Sequence, residues 1–170
     1  MKDAELKLIS ELIKNSRRSD RELAKAIGVS QPTVSRLIKK LEKQGIISMY
    51  SMIPDLSRLD FEILALTFAA WSPETLKDYP ENVRLERRDK FISKHPNVIF
   101  SSAGRGLGMV RMMMSVHRNY IDYDEFVKDF ENTWAGLFTR VESFTISLKI
   151  DSPTTVLSLR NLAEYIGKTR

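Results

Sequence analysis

Apolar positions in the first 45 residues recur at helical spacing and predict three helices. Residues 3–14 carry one apolar face, and a second, shorter apolar stripe follows within residues 20–27. Gly28 comes directly after this stripe, where a helix commonly ends in a left-handed conformation. Ser30 can cap a third helix over residues 31–43, which pairs a buried apolar face with a polar, basic one. Two helices joined by so tight a turn are typical of a helix-turn-helix.

The polar face of the third helix is the predicted recognition surface for double-stranded DNA. Arg36 suits a base edge, with Gln31 and Ser35 beside it, and the lysines suit phosphates. The alternative is an ordinary helical hairpin with a solvated charged face, and the loop before the second helix could likewise be merely solvated. The candidate DNA-binding residues are Gln31, Pro32, Thr33, Ser35, Arg36, Lys39 and Lys40, with Arg17 and Arg18 in the loop.

The pattern after Gly45 predicts a strand over residues 46–53, which would complete a winged helix-turn-helix. A second domain follows, with the order strand, helix, strand, strand, helix, strand. The order βαββαβ predicts a ferredoxin-like fold, in which two helices cover one face of a four-stranded sheet. The fold class is therefore α+β, with an N-terminal winged helix-turn-helix domain over 1–54, a linker over 55–60, the ferredoxin-like domain over 61–150, and a tail over 151–170 that contains an amphipathic helix at 156–167. The predicted elements of the second domain are strands at 61–71, 97–102, 109–117 and 141–150, and helices within 81–95 and 120–134.

Alternation along the strand 109–117 separates its methionines into two sets. One set is expected to face the helices and the other the open side of the sheet. A core plus a dimer interface is the favoured interpretation, and a soft metal or cofactor site is the alternative. The helix-facing set is Val110, Met112, Met114 and Val116; the open-side set is Met109, Arg111, Met113 and Ser115.

A glycine-rich loop lies between the two middle strands. Its backbone N–H groups could form a nest for an anion, or the glycines could only serve a turn that needs positive φ. No helix follows the loop, which excludes a dinucleotide fingerprint. The candidate effector-binding residues are Gly104, Arg105, Gly106, Leu107 and Gly108.

Charge is concentrated in the first domain. The net charge of +5 lies entirely within residues 1–54, which hold 11 Lys and Arg against 6 Asp and Glu, and this favours a polyanionic partner. The chain has no cysteine, no apolar run of membrane-spanning length and no signal-peptide pattern at its N-terminus, so a cytoplasmic protein without a membrane partner is expected. His95 and His117 are isolated, and no catalytic or metal-ligand spacing is present, so neither an enzyme nor a cofactor is predicted.

The stretch DAELKLISELIKNSRRSDRELAKAIGVSQPTVSRLIKKLEKQGIISMYSMIPD, residues 3–55, resembles the leucine-responsive/asparagine regulator (Lrp/AsnC) family of prokaryotic transcription factors. The order of elements in the second domain and its glycine loop extend the resemblance to about residue 150. The resemblance implies a sequence-specific transcription regulator that binds a roughly palindromic operator as a homodimer or a higher even-numbered oligomer. It also implies a small effector, commonly an amino acid, near the glycine loop.

The chain departs from the family pattern at this loop. The family usually has a glycine followed shortly by an aspartate and an aromatic residue, whereas Arg105 stands here without an acid, which suits an anion better than an amino group. Two alternatives to a regulator stay open. One is a tetrapyrrole-binding enzyme subunit that resembles sirohaem decarboxylases and uses His117, Arg105 and Arg111; the other is a pure interaction module.

Overall fold

The computed structural model describes residues 2–72, 75–149 and 158–168, with the backbone alone at residues 75 and 76. The chain divides into two compact units. The N-terminal unit comprises the residues up to Ile53 together with the C-terminal helix, and the second unit runs from Pro54 through the last strand. The predicted limit at residue 54 lies one residue from this division, the predicted linker over 55–60 falls within the second unit, and the C-terminal helix lies with the N-terminal unit.

The N-terminal unit is built from helices α1 (Asp3–Lys14), α2 (Asp20–Ile27) and α3 (Gln31–Lys43). Each helix start is defined by polar side chains, because Glu5 accepts from the Lys2 backbone N–H, and Ser19 and Ser30 cap α2 and α3. The apolar faces of the three helices meet in one cluster, whose fully or nearly fully buried members are Leu8, Leu23, Ala24, Val34 and Leu41.

The C-terminal helix α7 (Arg160–Lys168) packs against α1. Two small residues on α7 allow the close approach: Ala163 is fully buried, and a Cβ atom added at Gly167 would lie 2.9 Å from the Ser10 hydroxyl oxygen. That hydroxyl is itself buried and donates to the Ala163 carbonyl oxygen at 2.7 Å. The predicted helix at 156–167 is therefore present from Arg160 onward, whereas the described residues 158 and 159 are not helical, and the helix packs on α1 of the N-terminal unit. Residues 156 and 157 lie outside the described residues.

The second unit is a four-stranded antiparallel sheet in the order β2-β3-β1-β4, with helices inserted between the strands as a ferredoxin-like fold requires. A 3-10 turn at Leu56–Leu59 precedes the sheet. The elements are β1 (Ile63–Trp71), α4 (Thr75–Asp78), α5 (Glu81–Lys94), β2 (Val98–Gly106), β3 (Met109–His117), α6 (Tyr120–Thr133) and β4 (Phe138–Ser147). The core between helices and sheet is aromatic, with Phe91, Phe126, Phe130 and Trp134 packed around Met113 and Leu137.

Several details of the predicted secondary structure are wrong, among them the last strand, which runs over Phe138–Ser147 and not over 141–150. The strand expected over 46–53 does not form: these residues, all of them described, are bends and irregular chain without strand pairing. An isolated strand has no partner for its backbone N–H and C=O groups, and the described part of the N-terminal unit contains no other strand. The second strand is longer than expected, because β2 continues through Gly106 into the glycine-rich loop.

The faces of β3 are the reverse of those predicted. Met113 lies in the helix-side core, and Ser115 and His117 on the same side of the strand are fully buried. Residues directly opposite each other in the register share a face, so Met112 and Met114 lie on the open face beside Phe68 and Leu66 of β1. The register places Phe144 of β4 on that face too. Alternation alone separates the two sets of residues but does not say which set the helices cover.

Within the described ranges, no helix is both long enough and apolar enough to cross a bilayer.

Candidate nucleic-acid interface

The turn between α2 and α3 holds the second helix in a defined direction. Gly28 adopts φ 74°, ψ 35°, the left-handed conformation that a glycine takes without a steric penalty. The backbone N–H groups of Gly28 and Val29 both donate to the Ala24 carbonyl oxygen, at 3.0 and 3.1 Å. Val29 then packs against the apolar cluster of the unit, so the turn is anchored from both sides. The geometry is that of a helix-turn-helix.

The start of α3 uses two of its polar residues for its own cap. The Ser30 hydroxyl accepts from the Thr33 backbone N–H, and the two hydroxyl oxygens of Ser30 and Thr33 lie 2.8 Å apart. Pro32 occupies the first turn of the helix, where a missing N–H costs little. Thr33 is half-buried, and its backbone N–H and hydroxyl both contact Ser30. Its observed role is therefore in the helix cap.

One face of α3 is exposed and carries cations. Pro32, Arg36, Lys39 and Lys43 follow one another by four, three and four residues, a spacing that places them on one side of a helix with 3.6 residues per turn. All four are exposed, and Val34 and Leu41 on the opposite side are fully buried. Gln31 is exposed and Ser35 half-exposed at the edge of this face. We refer to Pro32, Arg36, Lys39 and Lys43 as the α3 cationic face.

Lys43 is missing from the residues assigned to DNA contact on the sequence alone. The signal was present, since Lys43 follows Arg36 by seven residues and therefore returns to the same side of the helix.

Lys40 is held by an acid of the same unit. Its ammonium Nζ lies 2.5 Å from a carboxylate oxygen of Glu5, whose side chain is only 4% exposed. The hydrogen bond from Lys40, followed by that from the Lys2 backbone N–H, lowers the pKa of Glu5, so this carboxylate is charged at neutral pH. The charge of Lys40 is thus already compensated within the protein, unlike that of Lys39, for which no ion pair is found among the described residues.

The two arginines of the loop before α2 differ in exposure and pairing. Arg17 is exposed, and its backbone N–H donates to the Asn15 side chain at 3.0 Å. Arg18 is partly buried and forms an ion pair with Glu11. Of the two predicted phosphate contacts in this loop, Arg17 therefore has the more available side chain.

The segment after α3 is tied back to that helix, although it forms no strand. The Tyr50 hydroxyl donates to a carboxylate oxygen of Glu42 at 2.9 Å. Partial burial, and then the bond to Glu42, raise the pKa of Tyr50, so the phenol stays neutral at physiological pH. Its neighbours Met49 and Met52 are 75% and 78% exposed, so this segment lies at the surface of the unit.

The predicted effector loop is a tight hairpin turn. Gly106 pairs with Met109, and the two residues between them, Leu107 and Gly108, have φ of 54° and 71°. Positive φ at both central residues is the pattern of a two-residue type I′ turn, which matches the twist of the flanking strands. Leu107 is 81% exposed at the tip, and Gly104 and Arg105 lie in β2. This backbone conformation is explained by the second interpretation of the loop, in which the glycines serve only a turn that needs positive φ.

The residues suggested for a tetrapyrrole site do not come together. His117 is fully buried at the far end of β3, where its ring contacts Tyr123 and Phe126 and its Nε2 lies 2.9 Å from the Ser115 hydroxyl. The hairpin that carries Arg105 is at the other end of the same strand, about 26 Å away for eight residues of extended chain. In the part of the chain that the structure describes, no group of three or more His, Asp or Glu residues is arranged to hold a metal ion.

Comparison with known proteins agrees with the helix-turn-helix geometry. Residues 1–48 match the family described as winged helix-turn-helix DNA-binding. The chain is 32% identical over 128 residues to the HTH-type transcriptional regulator LrpC of Bacillus subtilis, an alignment that covers 75% of this chain and 79% of LrpC. These relatives do not support the tetrapyrrole-enzyme alternative.

The fold of the whole chain is shared as well. The solved structure of Bacillus subtilis LrpC superimposes with a TM-score of 0.67 at 28% identity, and covers 89% of this chain and 98% of LrpC. A transcriptional regulator of Neisseria meningitidis, solved as a complex with L-Met, superimposes with a TM-score of 0.72 at 20% identity. The superposition covers 95% of this chain and 99% of the Neisseria meningitidis chain. Helix-turn-helix, ferredoxin-like sheet and the similarity to LrpC together establish that this chain belongs to the Lrp/AsnC family of DNA-binding transcription regulators.

Proposed function

We propose that this regulator reads its operator with the outer side of α3. Arg36 contacts a base edge in the major groove, flanked by Gln31 and Ser35, and Lys39 with Arg17 contacts phosphates. The observation that carries the proposal is the α3 cationic face, which is exposed on a helix whose start is fixed by the Ser30 cap and the Gly28 turn. An arginine can donate two hydrogen bonds to one guanine, so Arg36 is the residue best suited to specificity.

We propose that two copies of the chain associate through the open face of the sheet. This face carries large apolar side chains from all four strands of the sheet, and the helices cover the opposite face. Phe144 is 64% exposed, and Phe100, opposite Met114 in the register, is 47% exposed. Contiguous apolar surface of this kind is typical of an interface between protein chains. Its main members are Leu64, Leu66, Phe68, Phe100, Met112, Met114, Phe144 and Ile146.

The finer parts of the proposal concern the effector and the location. A small effector is expected at the hairpin Gly104–Gly108, where Arg105 offers a positive charge to an anionic group. The relative from Neisseria meningitidis was solved with L-Met, which supports an effector in this family. The function needs no catalytic group or resident cofactor, and its site of action is chromosomal DNA in the cytoplasm.

The test is selection of bound duplexes from a random DNA pool, followed by affinity measurements on the selected operator. Arg36→Ala is expected to cost about 1–3 kcal/mol on the operator and to relax the preference at one base position of each half-site. Lys39→Ala is the matched control, because loss of a phosphate contact weakens all sequences alike. An unchanged operator preference in the Arg36→Ala variant would show that this residue does not read the bases.

A further inference from the structure

The second unit contains a cavity on the helix side of its sheet, away from the hairpin and from the open face. It lies between α5, α6 and the sheet, and it encloses about 480 Å³ of empty space when its open mouth is included. The cavity volume that water-sized groups can occupy is about 40 Å³. This corresponds to about three waters, or to a small ligand of a few heavy atoms.

The lining of this cavity is aromatic with cationic groups. Trp71, Phe91 and Trp134 form apolar walls, and Arg88 and Arg111 line it as well. The Arg111 guanidinium carbon lies 5.5 Å from the centre of the Trp71 ring, and that of Arg84 lies 5.4 Å from the same ring. Three arginines are thus gathered around one end of the aromatic core.

The positive charges here are only partly compensated. Arg88 bonds to Asp89, the residue next to it, but no ion pair to Arg111 or Arg84 is found within the described residues. Burial lowers the pKa of Arg111, and the charges of Arg88 and Arg84 lower it further, whereas Glu81 raises it. A guanidinium stays charged in spite of such shifts, so the site keeps a net attraction for an anion.

Two buried donors have no acceptor among the residues that the structure describes. The Nε1–H of Trp134, a residue only 7% exposed, and the Nε–H of Arg84 make no hydrogen bond to any described residue. A buried donor without a partner costs free energy, and native proteins contain few of them. Trp134 lines the cavity, so a carboxylate bound there would supply an acceptor for its indole N–H, whereas Arg84 lies outside the lining and adds its positive charge from the Trp71 ring.

We propose that this cavity binds a small monocarboxylate, with the carboxylate among Arg111, Arg88 and the Trp134 N–H and a short apolar body against Trp71 and Phe91. The positive charges favour an anion, the indole N–H of Trp134 favours an oxygen acceptor, and the aromatic walls and limited volume favour a short hydrocarbon body. The site is separate from the hairpin Gly104–Gly108, and it does not depend on how the N-terminal unit contacts DNA.

The intrinsic fluorescence of the full-length protein provides the assay. The chain has two tryptophans, Trp71 and Trp134, and both line the cavity. Isobutyrate is the probe, and isobutyramide is its neutral control of nearly the same shape. Isobutyrate is expected to change the emission saturably, with isobutyramide weaker by about tenfold or more. No saturable change with isobutyrate, or equal affinity for the amide, would overturn the proposal.

Variants then locate the carboxylate. Arg111→Met keeps an unbranched side chain without the charge, and Trp134→Phe keeps an aromatic wall without the N–H donor. Each is expected to weaken isobutyrate binding, Arg111→Met by about tenfold or more, while Arg58→Met, at an exposed arginine outside the cavity lining, leaves it unchanged. Arg105→Met tests the hairpin as the rival location of the carboxylate. Thermal unfolding of each variant checks that the unit remains folded. Loss of binding in Arg105→Met with retention in Arg111→Met and Trp134→Phe would assign the carboxylate to the hairpin and refute the cavity site.

Discussion

Lys39 and Lys40 are adjacent in sequence and chemically identical, yet the structure places them in different electrostatic surroundings. Lys39 is exposed on the α3 cationic face, whereas the ammonium of Lys40 lies 2.5 Å from the buried carboxylate of Glu5. A lysine that is already paired within the protein displaces few counterions when DNA binds. We therefore expect Lys39→Ala and Lys40→Ala to change the salt dependence of DNA binding to different extents.

The magnitude follows from counterion release. Loss of one phosphate contact flattens the slope of log K against log salt concentration by about 0.9, so that between about 50 and 200 mM salt a variant loses about 3.5-fold less affinity than the parent. Lys39→Ala should show this full change. Lys40→Ala should flatten the slope by less than about a third of that amount, because its charge is compensated in the free protein.

Glu5→Gln provides the converse test. Glutamine keeps an acceptor for the Lys2 backbone N–H, which Glu5 binds at 2.8 Å, but it leaves the Lys40 ammonium without an opposite charge. The slope should then steepen, by up to about 0.9 if Lys40 reaches a phosphate. The assay is fluorescence anisotropy of a labelled operator at five or more salt concentrations. Equal flattening by Lys39→Ala and Lys40→Ala, with no steepening in Glu5→Gln, would refute this account of the ion pair.

Three further predictions concern association and stability. Phe144→Asp places a charge on the open sheet face and is expected to convert the proposed dimer to a monomer in sedimentation velocity; an unchanged mass would argue against that interface. Burial lowers the pKa of His117, so as the pH falls the unfolded state binds a proton at this residue before the folded state does. The free energy of unfolding is therefore expected to fall as the pH drops below about 6.5, by up to about 1.4 kcal/mol per pH unit. Urea unfolding at several pH values should show a weaker dependence in His117→Gln, and an identical one would contradict this origin. Gly167→Ala should lower the free energy of unfolding of the N-terminal unit by about 1 kcal/mol even though alanine favours a helix by a similar amount, because its Cβ would meet the Ser10 hydroxyl at 2.9 Å. The cost should disappear in a Ser10→Ala background, and a Gly167→Ala variant that is more stable in both backgrounds would be the opposite result.

The sequence alone determined the elements whose causes are local. The α2–α3 turn depends on Gly28, Ser30 and Pro32, each of which acts on its own backbone or on the next helical turn, and all three have the predicted conformations. The bounds of β3 were predicted to the residue, and those of α5 and α6 to within one residue. The alternation of apolar and polar positions carries this information because side-chain direction repeats with the period of the element.

Tertiary structure decided everything that depends on a partner distant in the chain. Alternation in β3 could not show whether the helices cover Met112 or Met113, since reversal of the two faces leaves the pattern unchanged. The apolar segment after Gly45 had the composition of a strand but has no neighbouring strand among the described residues of its unit, and Lys40 is separated from Glu5 by 35 residues. Burial and charge compensation arise where distant segments meet, so the sequence specified which side chains were available, and the packing of the helices and the sheet decided which of them stayed exposed.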